Sequence, residues 1–237
     1  MVVTGGAGFI GSHTVEKLLE NGDRVVVLDN FSTGSYENLK GFIDHPKLHI
    51  FEVDISNNLW PVLNQMTEVY GKVNRIIHLA AQTAVMDSVH DPIRDISLNY
   101  TTTVNILEYA KYTGVKNIVY ASSAAVYGDT DDLPICETHK CYPFSPYGIN
   151  KLGSESYLFY YSKVFGVSTL AFRFFNVYGP RQNPKNPYSG VISIFIDKAL
   201  GNEDIKIYGD GNQTRDFVYV SDVVDALVEG SKKSISK

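Results

Sequence analysis

The chain has 237 residues, 44% of them hydrophobic and 20% charged, with a formal net charge of −5. That composition belongs to a folded chain with a sizeable core and excludes a disordered segment or a basic nucleic-acid-binding surface. No apolar run reaches the roughly 20 residues of a membrane helix, no signal peptide precedes the first strand, and two cysteines, Cys136 and Cys141, make neither a disulfide framework nor a zinc site. A soluble protein in a reducing, cytoplasmic setting is expected, with no metal and with neither nucleic acid nor membrane as partner.

Apolar β-rich runs alternate with helical patterns along the chain: MVVT, a helix through Glu16 to Asn21, RVVVLD, LHIFEVD, RIIHLAA, NIVYASS and STLAFRFF. Continuous Val, Ile and Leu runs suit strands buried on both faces, and the alternation implies parallel strands joined by crossover helices. The expected fold class is α/β, a doubly wound parallel sheet of the Rossmann type.

The first strand runs into TGGAGFIGSH, which sets Gly5, Gly8 and Gly11 between strand and helix. Glycine there permits a tight turn, close approach of a pyrophosphate and close packing of helix on sheet, while the helix N-terminus supplies amide donors. Asp29 ends the second strand, where its carboxylate can accept from ribose hydroxyls. NFSTGSYEN, which follows, holds no Arg or Lys to neutralise a 2′-phosphate, so NAD is favoured over NADP. Asp54 and Ile55, after the third strand, are candidates to flank the adenine, a turn-forming role being the alternative for Asp54. His78, at the end of the fourth strand, reads as a packed strand histidine, and His13 as a structural residue of the first helix.

YASSAAVYGD closes the fifth strand, and SPYGINK opens a helix with Ser145 as N-cap and Pro146 in its first position. Strand carboxyl ends line the ligand crevice of a parallel sheet, so Ser122 and Ser123 are expected near a bound nicotinamide. Tyr147 and Lys151 share one helix face. A free phenol titrates near 10, and poising one at about 7 takes roughly 4 kcal/mol. One ammonium about 4 Å away supplies that at an effective dielectric near 20. Tyr147 is therefore read as a base and Lys151 as the cation that activates it.

After Asn176 the segment NVYGPRQNPKNPYSG reads as a long loop, and helical stretches around Val191 to Leu200 and Ser221 to Ser231 flank a short strand, IKIYG. Residues 1–175 are expected to form the NAD-binding domain with the catalytic residues, and 176–237 a smaller substrate-binding portion.

With these residues assembled, TGGAGFIGSH, LDNFSTG, HLAAQ, SSAAVYGD, SPYGINK, RFFNVYGPRQNP and YGDGNQTRDFVYVSDVV resemble the extended short-chain dehydrogenase/reductase family. Within it the motifs look closest to the nucleotide-sugar epimerases and dehydratases, in particular the UDP-glucose (UDP-galactose) 4-epimerases. The resemblance implies a catalytic set of Ser123, Tyr147 and Lys151. It implies tightly held NAD, lined by Phe9 and Ile10, by Asn30, Ser32 and Gly34, and by Leu79, Ala80, Ala81 and Gln82, with Thr83 beside them. It also implies substrate contacts from Asn176, near the diphosphate, and Arg215, on a phosphate. A purely structural role is the alternative for Gln82 and Thr83, a loop turn for Asn176, and a salt bridge with Asp216 for Arg215.

Related dehydratases carry acidic residues after the strand-end Ser or Thr, and decarboxylating relatives a glutamate, because removing water or handling a later intermediate needs another proton carrier. Ala124 and Ala125 stand there in this chain. The implied activity is NAD-dependent epimerisation at C4 of a UDP-hexose through a transient 4-keto sugar. The alternatives are a nucleotide-sugar dehydratase or reductase, and a catalytically silent dinucleotide-binding protein. Relatives dimerise through helices near DPIRDISLNYTTTVNILEYAK and SPYGINKLGSESYLFYY, so a homodimer is expected. They also begin slightly before Met1 and continue past residue 237, so the substrate-binding portion is expected to be incomplete.

Overall fold

The computed structural model describes residues 1–57, 59–185 and 190–233. Six strands, β1 (Val2–Thr4), β2 (Val25–Asp29), β3 (Leu48–Glu52), β4 (Arg75–His78), β5 (Asn117–Ser123) and β6 (Ser168–Phe174), form one sheet in the order β3-β2-β1-β4-β5-β6. Every neighbouring pair is parallel. The order reverses at β1, and the crevice opens beyond the carboxyl ends of β1 and β4.

Successive strand residues face opposite ways, and helices cover both faces. Val2, Val26, Ile76 and Ile118 join a core with α2 (Trp60–Tyr70), α5 (Thr102–Thr113) and α6 (Pro146–Phe165). Val3, Val27, Ile77 and Val119 join another with α1 (Phe9–Glu20) and α8 (Val220–Lys232). Each such side chain taken from water contributes about 1.5–3 kcal/mol, which is why these strands are apolar at consecutive positions. Between α4 (Pro92–Asp95) and α5 the chain widens into a π-helical segment, Ile96–Thr101, preceded by the short helix α3 (Val85–His90).

Three features depart from the sequence-based expectation. IKIYG, residues 205–209, forms no strand. Ile207 there is 61% exposed, and an alternating pattern with no neighbouring strand to complete its hydrogen bonds does not make a sheet. A second, two-stranded parallel sheet instead pairs β7 (Asn176–Tyr178) with β8 (Phe217–Tyr219), so the expected long loop begins as a strand. Helix α8 returns to the main sheet, with Val223, Val224 and Leu227 in the core shared with α1, although its sequence position puts it beyond residue 175. Helix α7 (Val191–Leu200) lies where the sequence placed it. Residues 186–189 of the loop and 234–237 of the C-terminal SKKSISK lie outside the described residues. Among the described residues no helix is long and apolar enough to cross a membrane.

Candidate active site

The glycine motif forms a cradle where β1 meets α1. Gly5 takes a left-handed conformation, φ +68°, and a Cβ there would sit 2.7 Å from the Ala80 amide nitrogen. At Gly11 a Cβ would lie 2.0 Å from the Gly5 carbonyl oxygen, so α1 can rest on this loop only without a side chain. Gly8 begins the helix with no side-chain cap, which leaves first-turn amides for an anion. Phe9 and Ile10 are half-buried in that turn.

Asp29 is 7% exposed. One of its oxygens accepts the Ala7 amide and the other the Phe31 amide, both at 2.9 Å. Each oxygen keeps a further lone pair for a ribose hydroxyl, so the carboxylate can hold the loop and bind a ligand together. Two residues outside the sequence-based set complete the loop: the Ser35 amide and the Asn38 side-chain amide donate to the Ala7 carbonyl at 3.0 and 2.8 Å. Asn30 accepts the Ser32 amide at 3.1 Å, and Gly34 packs on Ala7 and Asp29. Asp54 accepts the amide and hydroxyl of Ser56, which is the turn-forming geometry, beside a buried Ile55. The amides of Leu79 and Ala80 donate to the Thr4 hydroxyl at 3.2 Å each, drawing HLAAQ alongside the cradle.

At the far side of the crevice the two strand-end serines part. Ser122, expected near the nicotinamide, instead donates to Glu155 at 2.5 Å, and Glu155 is held by Arg173 at 2.7 Å. Adjacent strand residues face opposite ways, so only one of the pair can serve the crevice. Ser123 accepts the Ala125 amide at 3.1 Å and caps the short turn Ala124–Val126.

That turn abuts the start of α6: a Cβ on Gly148 would sit 2.6 Å from the Ala125 carbonyl oxygen. Ser145 caps α6 by accepting the Gly148 amide at 3.1 Å, as its sequence position implies. Tyr147 and Lys151 are 8% and 2% exposed, with the Lys151 ammonium 5.6 Å from the Tyr147 ring centroid. Lys151 donates to the Ala121 carbonyl at 2.8 Å and lies over the Tyr120 ring. Burial draws its ammonium below the usual range, against the pull of Tyr147, Asp95 and Glu155.

Sequence reading missed the buried polar cluster behind Lys151. Asp95 is 1% exposed and accepts side-chain amides from Asn99 at 2.8 Å and Asn150 at 2.7 Å. Burial pushes its carboxyl up, against those two bonds. The one sequence signal was Asp95 and Asn99 at i, i+4 spacing, which reads equally well as a solvated helix face.

The residues fit NAD. Among the described residues, Gln82 Oε1 and Asn99 Oδ1 are buried acceptors with no partner. Such an orphan costs about 1–3 kcal/mol, and a dinucleotide brings hydroxyl and carboxamide donors. Gln82 otherwise donates to the Ala84 carbonyl, and Ala81 is half-buried while Thr83 is exposed. Asn176 donates to the Asp216 carbonyl at 3.0 Å within the β7–β8 pair. Arg215 is exposed and donates to the Thr214 carbonyl.

A family model described as the NAD dependent epimerase/dehydratase family matches residues 1–233. A Methanocaldococcus jannaschii protein provisionally named UDP-glucose 4-epimerase is 46% identical over 228 residues, 95% of this chain and 71% of the relative. Among solved structures, the UDP-N-acetylglucosamine 4-epimerase from Methanobrevibacter ruminantium, in complex with UDP-N-acetylmuramic acid, is 36% identical with a TM-score of 0.91, covering 99% of this chain and 73% of that one. The Thermus thermophilus UDP-glucose 4-epimerase in complex with NAD is 37% identical with a TM-score of 0.88, covering 99% and 75%.

Proposed function

The chain belongs to the NAD dependent epimerase/dehydratase family, and on that premise we propose that it inverts C4 of a UDP-hexose through a transient 4-keto sugar. Bound NAD supplies the hydride acceptor and donor. Tyr147 takes the proton of the C4 hydroxyl and gives it back after the keto sugar has turned over. Lys151, buried one helical turn away, lowers the cost of the phenolate that forms. Ser123 donates a hydrogen bond to the C4 oxygen. Asn176 and Arg215 are assigned to the substrate diphosphate, which an arginine fork suits. Residues 1–175 carry the cofactor site, and the segment from 176 to β8 faces the substrate.

The observation that carries this reading is a buried Tyr147–Lys151 pair packed on a turn whose next two side chains, Ala124 and Ala125, bear no proton carrier. A dehydratase needs a group there to protonate the departing hydroxyl. We also propose a homodimer joined through α6 and the α3–α5 face, working in the cytoplasm, a setting that two cysteines without a disulfide suit.

Incubation with UDP-glucose, UDP-galactose and their N-acetyl forms, followed by NMR of the products, tests the reaction. Interconversion of C4 epimers without lasting NADH is expected, and a 4-keto-6-deoxy product would overturn it. Tyr147→Phe should bind NAD and lose conversion; unchanged turnover would remove Tyr147 as the base.

A further inference from the structure

The loop between β5 and α6 carries a second cluster of reactive groups that the proposed epimerisation does not use. Residues 136–139 close a turn in which the His139 amide donates to the Cys136 carbonyl at 3.1 Å. This turn folds the imidazole back, so that Nδ1 lies 3.1 Å from the Cys136 sulfur and accepts the Cys136 amide at 3.0 Å. On the other side of the ring, Nε2 is 3.1 Å from an Asp132 carboxylate oxygen. A carboxylate only accepts, so the ring proton sits on Nε2 and Nδ1 is the basic nitrogen facing the thiol. The Thr138 hydroxyl is 3.1 Å from the same sulfur. Arg173, from β6, donates to the Glu137 carbonyl at 3.5 Å and ties the turn to the sheet.

The two thiols of this loop differ. Cys136 is exposed and Cys141 half-buried. Hydrogen bonding with Thr138, and then with His139, draws the Cys136 thiol down to about 7, while burial pushes Cys141 up. The imidazole moves in the complementary direction, raised first by Cys136.

We propose that Cys136, His139 and Asp132 form a thiol-exchange site that takes a low-molecular-weight disulfide. The Cys136 proton passes to His139 Nδ1, whose lone pair gives up the Cys136 amide, and the thiolate attacks one sulfur of R–S–S–R. A new sulfur–sulfur bond forms as the old one breaks, and R–S⁻ leaves and takes up a proton. The Cys136 sulfur is oxidised and the leaving sulfur is reduced, so no further oxidant is required.

The test incubates the intact chain with glutathione disulfide at pH 6 and pH 7, quenches with acid, and quantifies each cysteine by mass spectrometry after trypsin, which cuts between them at Lys140. Lowering a thiol from about 8.5 to about 7 raises its thiolate fraction ~15-fold at pH 7, but the weaker nucleophile returns most of that gain. Cys136 in the parent should therefore couple about threefold faster than in the double variant Thr138→Val, His139→Ala at pH 7, and about fivefold faster at pH 6. Equal rates in parent and variant, or coupling first at Cys141, would overturn the proposal. Iodoacetamide alkylation of the parent alone gives an independent reading. A rate midpoint near 7 is expected at Cys136, and one at or above about 8.5, the value of an ordinary thiol, would overturn it even if the variant loop misfolds.

Discussion

His78 shows how much one residue can carry when every proton around it is accounted for. The Thr4 hydroxyl accepts the Leu79 and Ala80 amides, so its own proton goes to His78 Nδ1 at 2.7 Å. Nε2 then carries the ring proton and donates to the Thr103 hydroxyl at 3.3 Å, which in turn donates to the Asn99 carbonyl. A buried relay thus links the cradle to the π-helical segment, and its order leaves no acceptor for a second proton on the ring. Burial, reinforced by Lys151, lowers His78 from 6.5 to about 3. The unfolded chain takes up that proton at about 6.5, so the stabilisation is complete above that pH and is lost as pH falls toward 3. Chemical denaturation at pH 7 and pH 5 should show the parent losing roughly 2 kcal/mol more than His78→Gln. Equal losses would mean that the imidazole is protonated in the fold. The strand-end histidine was legible in the sequence as a packed residue; its tautomer was not, because that depends on residues up to 74 positions away.

At the scale of the element, α6 determines whether the site works. Its start follows from local chemistry, with Ser145 as cap, Pro146 in the first turn, and Tyr147 and Lys151 a turn apart. Its position against Ser123 does not, because it is set by van der Waals contact between Gly148 and the Ala125 carbonyl. Gly148→Ala would place a Cβ 2.6 Å from that backbone oxygen and 2.9 Å from the Pro143 Cβ, and neither a backbone carbonyl nor a ring-locked proline carbon yields as the end of a flexible side chain would. Steady-state assays should show turnover down on the order of a hundredfold, the effect of about 1 Å of misplacement, with helical circular dichroism retained. Full activity would show that the helix and the turn shift together. The stretch from α4 into the π-helical segment carries the opposite lesson: Asp95 and Asn99 look like a polar helix face, and only the packing against α6 turns them inward toward Asn150.

Across the whole molecule, α6 and the α3–α5 stretch each carry several exposed large apolar side chains. Ile93 is 75% exposed and Phe159 63%, with Met86, Val89, Ile149 and Tyr160 also exposed. Helix α6 is therefore apolar on two sides: Leu158 and Tyr161 pack into the core, while Phe159 and Tyr160 face outward. Such a patch suits a second copy of the chain. Sedimentation at micromolar concentration should give a dimer for the parent and a monomer for Phe159→Arg, and a monomeric parent would remove the homodimer from the proposal. The sequence by itself determined the parallel α/β sheet, the glycine cradle with Asp29, and the Tyr147–Lys151 helix, because each rests on periodicity or spacing within a few residues. Tertiary structure decided that Ser122 bonds Glu155 while Ser123 caps the following turn, that IKIYG stays out of any sheet, that α8 returns to the sheet, and that Asp95, Asn99 and Asn150 meet behind Lys151. Those outcomes depend on which distant surface each segment is packed against, and a pattern of neighbouring residues does not encode that partner.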